Sequence, residues 1–449
     1  MFLRYDSFSL CMTYTYDAII IGLGSAGKAT AETLQKAGKK IVCFDNGGPA
    51  TLCAREGCMP SKALFTPVDV YYRMRKFRDV VEGVEKLDMN FDNLLNYVRK
   101  ITDSDFVAYT EKSRQKVGFI AQKATLIDGH TVESDGKIYT AEHIVVATGS
   151  TPIIPSIKGL SETPFWGSRE VFQLTSGKIT QKELGIIGSG VIACEMAQCF
   201  AKLGFSVVMY SRSGQILRSF SREVAEKVKK VFEDEYKIKF EKLDEKFINY
   251  DESKSKFVFS SGTQHSHLLV VSGRKQNLPE GSCGLIEFTE KKEVKRNEFL
   301  QSSIDSIFVI GDSGGIQLLH ETNDEGVHVA NQIISGQYTP YKTTHLSVAF
   351  TFPHIASVGK RNDAQFVGSA DFEFGRATIE REEDGIIQIY VSKEGIVQGG
   401  EIVHHQADTL IHIIQEMIGK SIHAVGPFYH PTLPEGIENA LDDAKEKLN

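Results

Sequence analysis

Residues 17–27, DAIIIGLGSAG, carry the clearest indication of the fold. The apolar first half of this segment is typical of a buried parallel strand, and its second half is a complete G-x-G-x-x-G motif. In such a motif Gly22 makes the turn, Gly24 lets a pyrophosphate approach the backbone, and Gly27 lets the following helix pack on the strand. We therefore predict a strand-to-helix turn that binds a nucleotide; the alternative is a glycine turn in a nucleotide-free α/β fold.

The residues after this motif complete a βαβ unit. A helical segment spans residues 28–37, and a second strand spans residues 40–44 and ends at Asp45. Asp45 follows Gly27 by 18 residues. This is near the offset of ~20 residues expected of a carboxylate that binds a ribose hydroxyl.

A second copy of the pattern lies at residues 188–193, where GSGVIA follows an apolar strand at residues 184–187. Gly188 and Gly190 match the first two glycines of the motif, and Ala193 in third place still permits close packing. The chain thus carries two βαβ units, and we predict an α/β fold.

The two copies differ where the nucleotide ribose is expected. At the offset that Asp45 has in the first unit, the second unit has Ser211, followed by Arg212. No carboxylate repels a 2′-phosphate there, and a guanidinium is adjacent to bind one; in the alternative, Arg212 is a solvated surface residue. One site should take an ADP with a free 2′-OH, whereas the other favours a 2′-phosphorylated cofactor. Two unequal sites suggest a flavin and a nicotinamide.

The composition is that of an ordinary globular protein. The chain has 449 residues, 41% of them hydrophobic and 24% charged, which at roughly 100–200 residues per domain leaves room for several domains. A net charge of −7 without Lys/Arg clusters argues against a nucleic-acid partner. No apolar run approaches the ~20 residues that span a bilayer, so we expect no membrane association.

Cysteine usage indicates a reducing compartment. Seven Cys, an odd number in a long chain, do not suggest a secreted disulfide framework. The N-terminus also lacks the features of a signal peptide, and Met12 resembles a natural start, so we interpret residues 1–11 as an extension. We expect a cytoplasmic protein in which a closely spaced Cys pair is redox-active.

Cys53 and Cys58 form such a pair. A regular helix would hold residues i and i+5 on different faces, but Gly57 and the flanking loop residues make a closable geometry possible. Cys194 and Cys199 have the same spacing without a helix breaker, and we interpret them as small buried hydrophobic residues. The remaining cysteines are interpreted as incidental: Cys11, Cys43 and Cys283.

The rest of the chain changes character near residue 340. Before it, the pattern predicts exposed helices within residues 62–118 and further strands. After it, the pattern predicts an antiparallel sheet and a helix, which together make a separate α+β domain. The predicted strands are 144–147, 206–210, 307–310, 386–391 and 396–402, and the further predicted helices are 194–202 and 408–418.

Several further motifs, read with the two glycine motifs, identify a family. They are CAREGCMPSK (53–62), ATGS (147–150), GSGVIACE (188–195), VIGD (309–312), LLHETNDEG (318–326) and YHPTLPEG (429–436). On these motifs residues 14–449 resemble the FAD-dependent pyridine nucleotide–disulfide oxidoreductases of class I, and the dihydrolipoamide dehydrogenases are the most similar members. The resemblance implies FAD and NAD(P)(H) as cofactors and no catalytic metal.

The resemblance implies roles around a bound flavin. Cys58 would face the flavin as the charge-transfer thiol, and Cys53 would exchange disulfides with the substrate. Lys62 would pair with Glu195 near the flavin N5, and Asp312 would bind the ribityl chain. The ATG and GD turns would add cofactor contacts: Thr148, Gly149 and Gly311.

The resemblance also implies a homodimer. His430 would be the acid/base, oriented by Glu435, and would reach the Cys pair of the other subunit. An imidazole matched to neutral pH can supply or remove the proton that thiol–disulfide exchange needs. The implied domains are FAD-binding at 14–150 and 276–340, NAD(P)-binding at 151–275 and C-terminal α+β dimerisation at 341–449.

The signals for the substrate and the nicotinamide conflict. Glutathione reductases tend to carry Lys where Ser61 stands and Arg where Glu32 stands, so the sequence favours a lipoamide-type substrate, free or on the lipoyl domain of a 2-oxoacid dehydrogenase complex. Arg212 and Arg218, however, match the NADPH-binding arginines of glutathione reductases. Mercuric and large thioredoxin reductases carry an extra Cys or selenocysteine pair near the C-terminus. The last cysteine of this chain is Cys283, which disfavours both classes.

Three functions therefore remain. The first is a dihydrolipoamide dehydrogenase, the second is an NADPH-dependent reductase similar to glutathione reductase, and the third is a flavoprotein docking subunit with idle cysteines. The intact set of Cys53, Cys58, His430 and Glu435 favours an enzyme.

Overall fold

The chain forms two compact units. The computed structural model describes residues 14–448, except residues 104, 175, 176, 178, 180, 317 and 363. The first unit contains the residues up to 51, 107–151 and 276–342, and the second contains 52–106, 152–275 and the residues from 343 onward. The predicted extension at residues 1–11 and Cys11 lie outside the described residues.

Short strands and helices alternate along the chain. The strands are β1 Tyr16–Ile21, β2 Ile41–Phe44, β3 Thr125–Leu126, β4 Thr131–Ser134, β5 Lys137–Val146, β6 Ser150–Pro152, β7 Glu183–Ile187, β8 Ser206–Ser211, β9 Lys239–Lys242, β10 Ile248–Asp251, β11 Lys256–Phe259, β12 Gln264–His265, β13 His267–Val270, β14 Arg274–Gln276, β15 Ile307–Val309, β16 Ser347–Ala349, β17 His354–Gly359, β18 Phe366–Asp371, β19 Ile386–Val391 and β20 Val397–His404. The helices are α1 Ser25–Lys36, α2 Leu52–Glu56, α3 Cys58–Arg75, α4 Phe91–Thr102, α5 Asp105–Val117, α6 Val191–Lys202, α7 Arg222–Asp234, α8 Leu319–Ser335, α9 Gly375–Glu380, α10 Ala407–Met417 and α11 Glu435–Leu448.

In the first unit the carboxyl ends of four parallel strands meet at one edge of the sheet. Strand β1 lies between β2 and β5, and β15 pairs with β5. The register places Ile21 opposite both Phe44 and Val146. Open α/β sheets bind their ligands at such an edge. The turns that follow these four strands contain Gly22, Asp45, Thr148 and Gly311.

Helices α1 and α8 pack closely against each other behind this edge. A Cβ at Gly326 would lie 2.4 Å from the backbone oxygen of Ala26, so only glycine fits there. The Thr30 hydroxyl donates to the Gly326 carbonyl at 3.1 Å. This close contact fixes α1, whose N-terminus lies within the first glycine motif.

The second unit repeats the arrangement in its own parallel sheet, in the order β13-β7-β8-β9. Ile187 lies opposite Tyr210 and Val270, so Gly188, which follows β7, and Ser211, the last residue of β8, lie at the same edge of the sheet. Buried side chains of α3, α4, α6 and α7 share one hydrophobic core. This shared core explains why residues 52–106, assigned by sequence to the FAD-binding segment 14–150, group with the second unit. The division into four domain segments stays a prediction.

The C-terminal part of the second unit is an antiparallel sheet in the order β16-β17-β20-β19-β18. Helices α10 and α11 pack on it, and side chains such as Ile402, Leu410 and Leu441 are buried between them. The mixed α/β class is confirmed. Residues 386–391 form a strand as predicted, and the helix predicted over 408–418 spans Ala407–Met417. The sequence does not predict β3, β4 or β9–β13, because these strands are short and partly polar.

The second and third glycines of the first motif can be tested separately. A Cβ at Gly27 would lie 1.9 Å from the Gly22 oxygen, whereas a Cβ at Gly24 would have no atom within 4 Å. We expect Gly27→Ala to destabilise the flavin-free protein by ~1–3 kcal/mol or more, which lowers its Tm by roughly 2–10 °C. Gly24→Ala should leave this Tm within ~1 °C of wild type, yet lower the flavin content. Scanning fluorimetry and flavin absorbance per chain measure both quantities, and the reverse pattern would contradict this account of the turn.

Candidate active site

The glycine turn after β1 is closely packed at Gly22 and open at Gly24. Gly22 has a φ of +97°, and a Cβ there would lie 2.4 Å from the Ala147 oxygen. The space at Gly24, in contrast, is open. A pyrophosphate can therefore approach the backbone at Gly24 and the N-terminus of α1, which fits a dinucleotide such as FAD.

Asp45 is held beside this turn. Its Oδ2 accepts a hydrogen bond from Leu23 N at 2.6 Å and faces Arg114 Nη2 at 3.1 Å, and its Oδ1 accepts from Gly47 N at 2.6 Å. The Arg114 side chain is only 2% exposed, and its Nε donates to the Leu23 carbonyl at 3.0 Å. A buried guanidinium needs such partners, so Arg114 fixes both the carboxylate and the turn. Arg114 could not be singled out from the sequence, because α5 carries no motif.

The turns after β5 and β15 also converge at this edge. The Thr148 hydroxyl donates to the Asn277 carbonyl at 2.6 Å, and Asn277 N donates to the Gly149 carbonyl at 2.9 Å. The Ser150 hydroxyl donates to Asp312 Oδ2 at 2.5 Å. The structure therefore brings the predicted FAD residues of the first unit together at one sheet edge.

A buried ion pair supports the Gly311 turn. Gly311 N donates to Glu325 Oε2 at 2.7 Å, and Arg296 Nη1 lies 2.8 Å from Glu325 Oε1. Burial raises the pKa of the Glu325 carboxyl, although Arg296 faces it. Glu325 lies within LLHETNDEG, so that motif gave a signal for it, whereas nothing in the sequence singled out Arg296.

The two predicted redox cysteines are bonded to each other. Helix α2 ends at Glu56, and α3 begins at Cys58 after a break at Gly57, whose φ and ψ are −127° and −108°. Cys53 and Cys58 form a disulfide across this break, with their Cα atoms 4.8 Å apart. A Cβ at Gly57 would lie 3.2 Å from Cys53 Cα. The predicted closure of the pair is confirmed, and its cause is the break in the helix.

The cysteines of α6 have a different character. Cys194 and Cys199 are wholly buried and free. Burial raises the pKa of the Cys199 thiol to about 12 and that of Cys194 still further. Such thiols do not form thiolates at neutral pH, which confirms their interpretation as small hydrophobic residues.

Lys62 and Glu195 meet between α3 and α6. Lys62 Nζ lies 3.4 Å from Glu195 Oε1, and the Glu195 side chain is 6% exposed. The same carboxylate oxygen accepts a hydrogen bond from Phe350 N at 2.8 Å. The pairing that the resemblance implies is therefore present in the structure.

His430 and Glu435 form a second pair, at the start of α11. His430 Nδ1 lies 2.7 Å from Glu435 Oε1, and Thr432 N donates to Glu435 Oε2 at 2.7 Å. Hydrogen bonds from His430 and Thr432 hold the pKa of Glu435 below its usual range. The His430 side chain is 77% exposed. A ring this exposed is not packed against the disulfide of its own chain.

The second glycine motif leaves an open, basic turn. Gly188 has a φ of +146°, and a Cβ there would overlap the Val271 oxygen at 2.4 Å, whereas a Cβ at Gly190 would have no atom within 4 Å. Leu217 N donates to the Ser189 carbonyl at 2.8 Å, so the loop after Ser211 folds back onto this motif.

Both arginines of that loop are available to a ligand. Arg212 and Arg218 are exposed, and neither makes a hydrogen bond or ion pair with the residues that the structure describes. No carboxylate at the end of β8 opposes them, since that position is Ser211.

The part of the chain that the structure describes offers neither a metal-binding cluster nor a membrane-crossing helix. No group of three or more His, Cys, Asp or Glu side chains in this part of the chain could hold a metal ion. None of its helices is both long enough and apolar enough to cross a membrane.

Individual known proteins are similar to this chain over most of its length. The mercuric reductase of Lysinibacillus sphaericus is 26% identical in an alignment of 426 residues that covers 88% of this chain and 76% of that protein. The dihydrolipoyl dehydrogenase of Mycoplasma pneumoniae is 27% identical over 458 aligned residues, covering 96% of this chain and 98% of that protein. The HOCl-induced flavoprotein disulfide reductase RclA from Escherichia coli has the same fold, with a TM-score of 0.80, 20% identity and coverage of 97% and 100%.

A family model places the chain more firmly than any one relative does. The model for the pyridine nucleotide-disulphide oxidoreductases matches residues 16–326, more than half of the chain. This agrees with the two open glycine turns, the closed Cys53–Cys58 disulfide and the Lys62–Glu195 pair. The chain is therefore a member of the pyridine nucleotide-disulphide oxidoreductases, enzymes that use FAD and NAD(P)H.

Proposed function

We propose that the protein is a dihydrolipoamide dehydrogenase, a homodimeric enzyme that moves electrons between a dithiol/disulfide substrate and NAD(P)(H). The observation that carries the proposal is the closed Cys53–Cys58 disulfide at the start of α3. Bound FAD would relay two electrons between the nicotinamide and this disulfide. Gly22, Asp45 and Asp312 would hold it at the sheet edge described above.

The two cysteines differ in their backbone setting. Cys58 is the first residue of α3, a helix of 18 residues, whose N-terminal dipole favours a thiolate. Cys53 lies in the five-residue α2. Cys58 is the more exposed of the two in the chain alone. Exposure alone does not assign the two roles. The helix dipole favours Cys58 as the thiolate that faces the flavin, and the family resemblance implies that Cys53 exchanges disulfides with the substrate.

His430 supplies the proton transfer that exchange needs. Glu435 holds Nδ1 at 2.7 Å, which leaves Nε2 of the exposed ring facing outward. An imidazole can take the proton of the attacking thiol and return it to the leaving thiolate near neutral pH. Because the ring is not packed on its own disulfide, we propose that it serves the Cys pair of a second copy. The C-terminal α+β sheet would then be the dimerisation domain.

The substrate proposal rests on two positions at which this chain differs from the glutathione reductases. Ser61, where glutathione reductases tend to carry Lys, donates from its hydroxyl to the Cys58 carbonyl at 3.0 Å. Glu32, where they tend to carry Arg, pairs with Lys28 at 3.0 Å. Neither position offers a cation to an anionic peptide, so we propose lipoamide, free or on a lipoyl domain of a 2-oxoacid dehydrogenase complex. A cytoplasmic location stays a prediction.

A second candidate is an NADPH-dependent reductase similar to glutathione reductase. It is favoured by the exposed Arg212 and Arg218 and by the bond from Leu217 N to the Ser189 carbonyl, which returns their loop to the glycine turn. This candidate shares the cofactors and the Cys pair with the first, and differs in the disulfide reduced.

The redox assignment predicts a selective loss in Cys53→Ser. This variant should lose at least about 10³-fold in lipoamide turnover, because a nucleophile is removed, while its flavin content stays that of wild type. The matched control is Cys283→Ser, which changes an exposed free thiol and should leave turnover unchanged. Lipoamide turnover by Cys53→Ser at the wild-type rate would overturn the assignment.

The shared site predicts complementation between subunits. His430→Gln should cost roughly 10²–10⁴-fold in turnover, the range for a positioned acid/base. Hybrid dimers of Cys53→Ser and His430→Gln subunits should recover about half of wild-type turnover, since one of their two sites is intact. Turnover is measured on hybrids isolated with two different affinity tags. Verified hybrids without recovery would show that the site is not shared.

The charge difference between the two nucleotide turns predicts a preference for NADPH. A hydrogen bond to a charged group contributes roughly 1.5–3 kcal/mol, so Arg212→Ala should lower kcat/KM for NADPH about 10- to 150-fold and leave that for NADH within twofold. Arg222→Ala is the control, since Arg222 is an exposed arginine paired with Glu226. A wild type that prefers NADH by tenfold, with no NADPH-specific loss in Arg212→Ala, would refute this preference.

A further inference from the structure

The connection between β16 and β17 lies across helix α6. We call its residues 350–352 the strap. Phe350 N donates to Glu195 Oε1 at 2.8 Å. Gln198 forms two hydrogen bonds with the strap. Phe352 N donates to Gln198 Oε1 at 2.7 Å, and Gln198 Nε2 donates to the Phe352 carbonyl at 3.0 Å. Gln198 is wholly buried, and both halves of its amide bond to the backbone of Phe352; its side chain also forms a hydrogen bond with Tyr236.

The strap also spans two ion pairs of opposite polarity. Lys62 of α3 meets Glu195 of α6 at 3.4 Å, and seven residues further along each helix Asp69 meets Lys202 at 3.8 Å. Lys202 is 2% exposed, and burial lowers its pKa to about 7. Two turns of helix separate the pairs, and Gln198 lies between them.

Each phenyl ring of the strap covers one of the two ammonium groups. Lys62 Nζ lies 4.3 Å from the centre of the Phe350 ring, and Lys202 Nζ lies 3.5 Å from that of Phe352. These are cation–π distances, and partial burial strengthens such contacts. The ammonium of Lys62 is therefore fixed from two sides, by the Glu195 carboxylate and by the ring of the strap.

We propose that Gln198 is a positioning residue. It holds the strap so that Phe350 fixes the position of the Lys62–Glu195 pair near the flavin N5. The proposal rests on the proposed function and on the role that the family resemblance implies for that pair, near the flavin N5. No hydrogen bond joins Gln198 to Lys62 or Glu195, so its connection to that pair runs through the backbone of the strap. When its amide is removed, the N–H and carbonyl of Phe352 lose their buried partners, and the strap shifts to find others.

The test compares Gln198→Met with Gln332→Met. Gln332 is a matched control, because it is a buried helical glutamine whose Nε2 donates to the Phe299 carbonyl at 3.1 Å and whose Oε1 accepts from Thr339 N at 3.1 Å. Each variant therefore loses one buried donor and one buried acceptor to backbone. Lys62→Met is the reference for loss of the pair itself. Flavin content, Tm and the rate of flavin reduction by NADPH and NADH are measured on the holoenzyme under anaerobic conditions.

The expected result is a similar fall in Tm for both glutamine variants and a selective fall in rate for one. A misplacement of about 1 Å costs on the order of 10²-fold, so Gln198→Met should slow flavin reduction about 10- to 100-fold, as Lys62→Met does, whereas Gln332→Met stays within twofold of wild type. Gln198→Glu, which keeps the acceptor for Phe352 N, should recover part of the rate and serves if Gln198→Met does not fold.

Two results would overturn the inference, and they are distinguishable. A slow Lys62→Met beside a Gln198→Met of wild-type rate would overturn the positioning role alone. A Lys62→Met of wild-type rate would remove the role proposed for the pair, and with it the inference. With NADPH or NADH as the electron donor, flavin reduction precedes disulfide exchange, so neither result depends on which disulfide the enzyme uses.

Discussion

The break in the helix at Gly57 is the constraint on which the site depends. In an unbroken helix, Cys53 and Cys58 would lie on different faces and could not bond. With the break, Cys58 becomes the first residue of α3, and the next turn of that helix carries Lys62 to Glu195. One glycine thus closes the disulfide and directs the helix that presents the ion pair.

The two glycine turns share a positive φ at the first glycine and open space at the second, but their electrostatics are opposite. In the first, a buried Arg114 anchors the Asp45 carboxylate beside the turn, which suits a ribose with free hydroxyls. In the second, the corresponding position is uncharged, and Arg212 and Arg218 are exposed beside it. Because the backbone is alike, the choice of cofactor falls to a few side chains at the ends of β2 and β8. This division of labour lets one chain hold two different dinucleotides.

Much of this could be predicted from the sequence, because the information is local. The glycine motifs, the strand ends and the Cys pair each lie within a short segment, and His430 and Glu435 are five residues apart, although only the resemblance singled them out. Arg114 and Gln198 could not be predicted. Each bonds to a backbone group far away in the chain, and the residue type does not say which group that is. The same holds for residues 52–106, whose unit is decided by a core that they share with α6.

In the proposed enzyme, electrons from the nicotinamide reach the Cys53–Cys58 disulfide. The most direct measurement is anaerobic incubation of the oxidised holoenzyme with NADPH or NADH, followed by thiol alkylation and peptide mass spectrometry. Both Cys53 and Cys58 should be alkylated only after the nicotinamide is added. The buried Cys194 and Cys199 should stay unmodified in the folded protein. A fully reduced flavin with the peptide of residues 53–58 still disulfide-bonded would contradict this electron transfer.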